Sequence, residues 1–190
     1  PYLVNESDYV ACHTTSYVHK FDLAASLKQG GIFLLNCPWR TIEELDQQLP
    51  ARLRHQLAER EAAFYVIDAS KIAREAGIGQ YINMCLQTVF FALSGVVEFN
   101  KAIEVLKHDV VKLYHRKVLE IIDKNIKAID MSCDRNLLYR VPYNRDSWLA
   151  LVPPAEEPRR RGLLKLDNPK LEQFNKEIFE PVGKFQGDAI

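Results

Sequence analysis

The chain has 190 residues, 47% of them apolar, with 25 basic side chains balanced by 25 acidic ones. That is enough apolar material for one domain with a full core and an appendage. The zero net charge argues against nucleic acid or an anionic membrane surface as the main partner, and no apolar run approaches the ~20 residues of a membrane span.

The opening residues, PYLVNESDYV, lack the basic start and apolar length of a signal peptide. Without an initiator Met, the chain reads as processed, excised or a fragment. Cys12, Cys37, Cys85 and Cys133 stand far apart, with no C-x-x-C pair to suggest a zinc ribbon or an iron–sulfur cradle. Mostly buried thiols in an intracellular protein are the simplest reading.

In chain order, Tyr2-Leu3-Val4 is a short apolar stretch, and Asp8 to Cys12 is a second that ends at His13-Thr14-Thr15. Ser16 suits a helix cap, and Tyr17, Phe21, Ala24, Ala25 and Leu27 have helical spacing up to a stop at Gly30. Ile32 to Leu35 reads as a strand ending at Asn36-Cys37-Pro38-Trp39. Thr41 and Glu44 form a T-x-x-E capping box, and Pro50 opens a helix with Leu53 and Leu57 inward. Phe64 to Ile67 is a third strand. Asp68 caps the next helix, which runs through Ile72 and Ala76 to Gly77.

Ile82, Leu86, Val89, Phe90 and Leu93 mark a strongly apolar helix that closes near Gly95. The apolar pattern of Phe99 to Leu113 and of Val118 to Ile129 predicts one long helix or a bent pair. VPPAEEPRRRG (152–162) reads as a linker, and Asn168-Pro169 opens a last short helix to Phe179.

Strands alternating with helices predict an α/β fold: a Rossmann-like parallel sheet flanked by helices, with a helical C-terminal half and an extended tail. The expected organisation is a domain over 1–137 and a strap over 138–190. Right-handed crossovers then bring Cys12-His13-Thr14, Asn36-Cys37-Pro38 and Asp68-Ala69-Ser70 to one edge, where open α/β sheets bind ligands.

The chemistry at that edge has bland readings too. The G-x-G of GIGQYINMCLQ (77–87) suits either an anion at a helix start or an ordinary helix-to-helix turn. Asn83 and Gln87, one turn apart, either bond to backbone or project into a site. Cys12, His13 and Cys37 fall short of a closed zinc site, and nothing beside the thiols favours a thiolate nucleophile. Trp39 is a core residue by default and a stacking platform otherwise. Arg159-Arg160-Arg161 reads as a solvated run.

The stretch SDYVACHTTSYVHKFDLAASLKQGGIFLLNCPW (7–39) resembles the gamma-type domain of pyruvate:ferredoxin (flavodoxin) oxidoreductase, with its ACH strand end and GG-x-x-LLN-x-x-W segment. The resemblance continues through LPARLRHQLAEREAAFYVIDASKIAREAGIGQYINMCLQTVFFALSGV (49–96), KAIEVLKHDVVKLYHRK (101–117) and FNKEIFEPVGKFQGD (174–188). Departures fall at Gln80-Tyr81-Ile82, where the family usually has Arg and a small polar residue before Asn83, and at His115-Arg116-Lys117-Val118, where it has a G-x-K-G element. A Gly-rich loop and a Ser-Lys-Lys segment precede these motifs in the family, so the chain corresponds to the downstream part of that domain.

The resemblance implies a cytoplasmic enzyme that decarboxylates pyruvate or another 2-oxoacid oxidatively with thiamine diphosphate. Electrons pass through [4Fe-4S] clusters to ferredoxin or flavodoxin, and acetyl-CoA forms. The gamma-type domain helps position coenzyme A, a substrate, and binds neither thiamine diphosphate nor a cluster; alone it is expected to be inactive. Its partners are the other domains or subunits of a homodimeric parent. His13, Asn36, Cys37, Pro38 and Trp39, with Gly79, Asn83 and Gln87, are implied to line the coenzyme A cleft, and none is expected to be catalytic. The basic residues expected for the coenzyme's phosphates are not apparent in the sequence. The alternative is the similar, structural module of a sulfite reductase flavoprotein component.

Overall fold

The computed structural model describes residues 6–114 and 119–151, with Gln173 and Glu177. The chain clusters into two units, 1–153 and 154–190. The stretch at Tyr2–Val4, the Pro-rich segment, the junction at 115–118 and the helix expected to end at Phe179 lie outside the described residues.

The first unit contains β1 (Ser7–Cys12), β2 (Leu27–Asn36), α1 (Ile42–Gln48), α2 (Ala51–Glu59), β3 (Ala63–Ile67), α3 (Ala69–Ala76), α4 (Asn83–Ser94), α5 (Phe99–Tyr114), α6 (Leu119–Ser132), β4 (Tyr139–Arg140) and α7 (Arg145–Leu149). The sheet order is β1-β2-β3-β4. The first three strands run parallel, Cys12 opposite Leu35 and Asn36 opposite Ile67, while β4 joins β3 antiparallel.

Strand residues alternate between two cores. Phe33, Leu35, Phe64 and Val66 pack on one face with Leu45, Leu53, Leu57 and Trp148, from α1, α2 and α7. Leu34 and Ile67 pack on the other with Ile72, Ala73, Cys85, Leu86, Val89 and Ala128, from α3, α4 and α6. Burial on both faces explains why the strands read as continuous apolar runs. A third cluster joins Met84 to Leu106, Val110, Ile122 and Ile129.

The local signals act as expected at several ends. The Glu44 N–H donates to Thr41 Oγ1 while Glu44 Oε2 accepts from the Thr41 N–H, which closes the capping box. Asp68 Oδ1 accepts from the Lys71 N–H at 2.8 Å and starts α3 at the strand tip. Gly77, at φ +85°, ends α3 in the left-handed conformation.

The structure decides three expectations. The helix expected from Ser16 to Gly30 is only a 3-10 turn over Thr15–His19, and β2 has already begun at Leu27. Tertiary partners override the periodicity here. The Arg60 guanidinium donates to the carbonyls of Ala25 and Leu27, and Gln56 Nε2 to Asp22 Oδ1. Gly30, at φ +69°, does not stop a helix; it lies in a β2 bulge, where the register jumps from Ser7–Leu27 to Tyr9–Ile32.

The second left two alternatives, one long helix or a bent pair, and the pair forms. A continuous helix would place Lys107 and Asp130 more than ~30 Å apart, yet they form an ion pair, so α5 and α6 fold back on each other. Third, residues 138–151 are not strap but part of the first packed unit. Trp148 is 2% exposed, stacks on Tyr143 with ring centroids 4.5 Å apart, and donates from Nε1 to Asp46 Oδ1 at 2.8 Å.

One side chain ties the parallel strand ends together. Asn36, 6% exposed at the tip of the central β2, donates from Nδ2 to the His13 carbonyl (3.0 Å) and to Ser70 Oγ (3.2 Å). Its Oδ1 accepts from the Ala69 N–H at 2.9 Å. Asn36→Leu orphans the buried Ala69 amide and is expected to cost about 2–4 kcal/mol in urea unfolding; a loss under about 1 kcal/mol would contradict the tie.

Cys12, Cys37 and Cys85 are buried free thiols. Burial pushes the Cys37 thiol up to about 12 from an ordinary value of 9.0. The unfolded chain therefore loses that proton first as pH rises. The associated stability is full below pH 9 and drains away between 9 and 12, at up to about 1.4 kcal/mol per pH unit. Unfolding free energies measured from about pH 9 to 10.5 are expected to fall less steeply in Cys37→Ser than in the parent; equal slopes would refute the assignment.

Candidate functional site

With three parallel strands tied at their carboxyl ends, a cleft of about 650 Å³ opens above the sheet. Its walls come from four places. The loop after β1 gives His13, Thr14 and Thr15; the end of β2 gives Asn36, Cys37 and Pro38; Asp68 and α3 give Ser70 and Arg74; and the α3–α4 turn gives Gly79, Gln80 and Ile82. The volume lies within the range typical of small-molecule and cofactor sites.

The side chains divide into fixed and free. The Asn36 amide is committed to the strand ends. The Asp68 carboxylate is engaged by the start of α3. Cys37 Sγ contacts the Trp39 carbonyl at 3.7 Å, and Cys12 Sγ donates to the Thr14 carbonyl at 3.2 Å. Desolvation raises both thiols above their ordinary range, which leaves them neutral and poorly nucleophilic near pH 7. Among the described residues, no group of three His, Cys, Asp or Glu side chains is placed to hold a metal ion. Arg74 is different: it is exposed, lines the cleft, and its guanidinium has no partner among the described residues. A free guanidinium on a cleft wall suits a phosphate or carboxylate.

Gly79 has φ +67° and nothing within 4 Å of a Cβ built on it, so the turn needs glycine for its backbone conformation and not for space. Gly77 has the opposite neighbourhood. A Cβ there would lie 3.1 Å from Cε of Lys124, so α6 packs closely behind the turn.

A second cavity of about 790 Å³ lies on the far side of this turn. It is lined by Gly77, Ile78, Tyr81 and Asn83, by Tyr114 at the end of α5, and by Ile121, Lys124 and Asn125 of α6. Gln80 and Ile82 line both cavities.

Of the residues singled out by sequence, His13, Asn36, Cys37, Pro38 and Gly79 meet in the cleft. Asn83 is the first residue of α4 and borders the second cavity instead. Trp39 is half-buried against the α1–α2 core, and Gln87 is exposed on α4; neither is among the cleft residues. Arg74 was missed. Its signal was its spacing: four residues after Ser70, it shares the helix face that begins at the β3 tip.

A family model described as "Pyruvate ferredoxin/flavodoxin oxidoreductase" matches residues 1–134. Over the whole of this chain, identity is 37% to a pyruvate dehydrogenase [NADP(+)] of Cryptosporidium parvum and 35% to a pyruvate:ferredoxin oxidoreductase of Moorella thermoacetica. It is 39% to a mitochondrial pyruvate dehydrogenase [NADP(+)] of Euglena gracilis. The chain spans only 10–15% of the length of these relatives. The crystal structure of pyruvate oxidoreductase subunit PORC from Thermotoga maritima shares the fold, with a TM-score of 0.53 and 19% identity over 68% of this chain and 63% of that one. The family model and these relatives show that the chain belongs to the pyruvate ferredoxin/flavodoxin oxidoreductase family.

Proposed function

We propose that this chain is the part of a 2-oxoacid:ferredoxin or flavodoxin oxidoreductase that positions coenzyme A for conversion of pyruvate to acetyl-CoA. The observation that carries the reading is the strand-end cleft with a free cation on its wall. Coenzyme A has a phosphate-rich nucleotide at one end and a thiol at the other. A site that holds such a molecule by its phosphates leaves the thiol free to reach the reacting centre.

The role is positioning, because holding two reactants in register removes much of the entropic barrier to their reaction. The cleft's own thiols are buried and neutral, and its amide is committed to the fold, so this chain contributes binding and orientation. His13, Pro38 and Gly79 form the wall, and Arg74 anchors a phosphate. Thiamine diphosphate, the [4Fe-4S] clusters and the ferredoxin or flavodoxin docking site belong, in this reading, to other parts of the parent enzyme, a homodimer. The free thiols suit a reducing compartment such as the cytoplasm.

The test is calorimetric titration of coenzyme A into the full-length protein. Saturable binding is expected, weakened about tenfold in Arg74→Ala, the loss of one charge-assisted hydrogen bond. Absence of saturable binding would overturn the reading. So would an Arg74→Ala variant that binds as tightly as the parent.

A further inference from the structure

The proposed ligand ends in a thiol, and a thiol reacts as its thiolate. Free thiols ionise only at about pH 8.5, so near neutrality some group in the cleft has to take the proton. The titratable and charged groups around the cleft are few. Cys37 at the end of β2, and Cys12 behind it at the end of β1, are thiols held neutral by burial. At the start of α3 the Asp68 carboxylate is engaged by the Lys71 N–H, and further along the same helix Arg74 is a permanent cation. The remaining group is His13, from the loop after β1. Imidazole is the side chain suited to proton exchange near neutral pH.

The backbone at His13 is fixed while its ring is not. Asn36 Nδ2 donates to the His13 carbonyl at 3.0 Å and Cys12 Sγ to the Thr14 carbonyl at 3.2 Å, so two consecutive carbonyls of the loop are held. The imidazole is exposed on the cleft wall, with no hydrogen bond or ion pair among the described residues. A fixed loop that presents an unbonded imidazole is preorganised for proton transfer. We infer that His13 accepts the proton of the coenzyme A thiol. The S–H bond breaks and an N–H bond forms on the ring. Neutral thiol and imidazole become thiolate and imidazolium, and the pair gains or loses no electron. The imidazolium left beside the sulfur then stabilises the thiolate, as a cationic neighbour does for any thiol. This inference rests on the coenzyme A reading and adds to it the fate of the thiol proton.

The experiment uses the full-length protein with coenzyme A bound and follows the thiolate by its ultraviolet absorbance as pH is raised. The complex with desulfo-coenzyme A, which lacks the sulfur, supplies the background. In the parent, the thiolate of bound coenzyme A is expected to appear about one pH unit or more below that of coenzyme A in solution. His13→Gln, which keeps a polar side chain but accepts no proton, is expected to return it to the solution value. A bound coenzyme that titrates in the parent as it does in solution overturns the inference, and that measurement needs no variant. A shift that survives in His13→Gln overturns it too. In both cases the coenzyme A reading stands as long as binding is saturable and depends on Arg74. If coenzyme A does not bind the parent protein at all, both fall.

Discussion

The site depends on one carboxamide. Parallel strands end in a row of backbone groups that the sheet no longer pairs, and a buried unpaired group is costly. Asn36 sits at the tip of the central strand and answers for both neighbours, with its NH2 on the loop after β1 and on Ser70, and its oxygen on the first amide of α3. An aspartate would lack the two donors and a leucine all three bonds. The same bonds keep the β1 loop and the α3 start at fixed separation, so the cleft between them has a defined width without any ligand.

Around this tie, the elements divide between support and exposure. The thiols at the strand ends are held neutral by burial and turned toward backbone carbonyls. The α3–α4 turn runs between the two cavities, backed by the Lys124 stem on Gly77. The side chains left unused, Arg74, Tyr81 and Asn83, lie on α3, on this turn and at the start of α4. A short segment that bends through left-handed glycines and is stiffened from behind can hold exposed side chains in place at little entropic cost.

Much of this was legible where the cause is local. The Thr41–Glu44 capping box, the Asp68 cap, the Gly77 and Gly95 stops and the three apolar strand runs depend on residues within one turn of each other, and they fell where the pattern placed them. The convergence of three strand ends followed from the alternation of elements. What could not be read had causes far along the chain. The guanidinium of Arg60 takes carbonyls at 25 and 27 that a helix would need. Tyr139 and Arg140 become strand only because the β3 edge is open to them. Arg74 carried no mark of a site in the sequence, because only the β3–α3 junction places its helix face on the cleft wall.

The burial of Trp148 has a consequence for biosynthesis. Its ring fills the core beside Phe64, and its indole N–H reaches Asp46, 102 residues back. Arg145 in the same helix reaches the Ala58 carbonyl and Glu61. The α1–α2 side of the sheet therefore cannot reach its final packing while the ribosome has made only the strands and the first six helices. Until α7 emerges from the exit tunnel, that side of the nascent chain presents an apolar surface with its last piece missing, a natural point for chaperone attention.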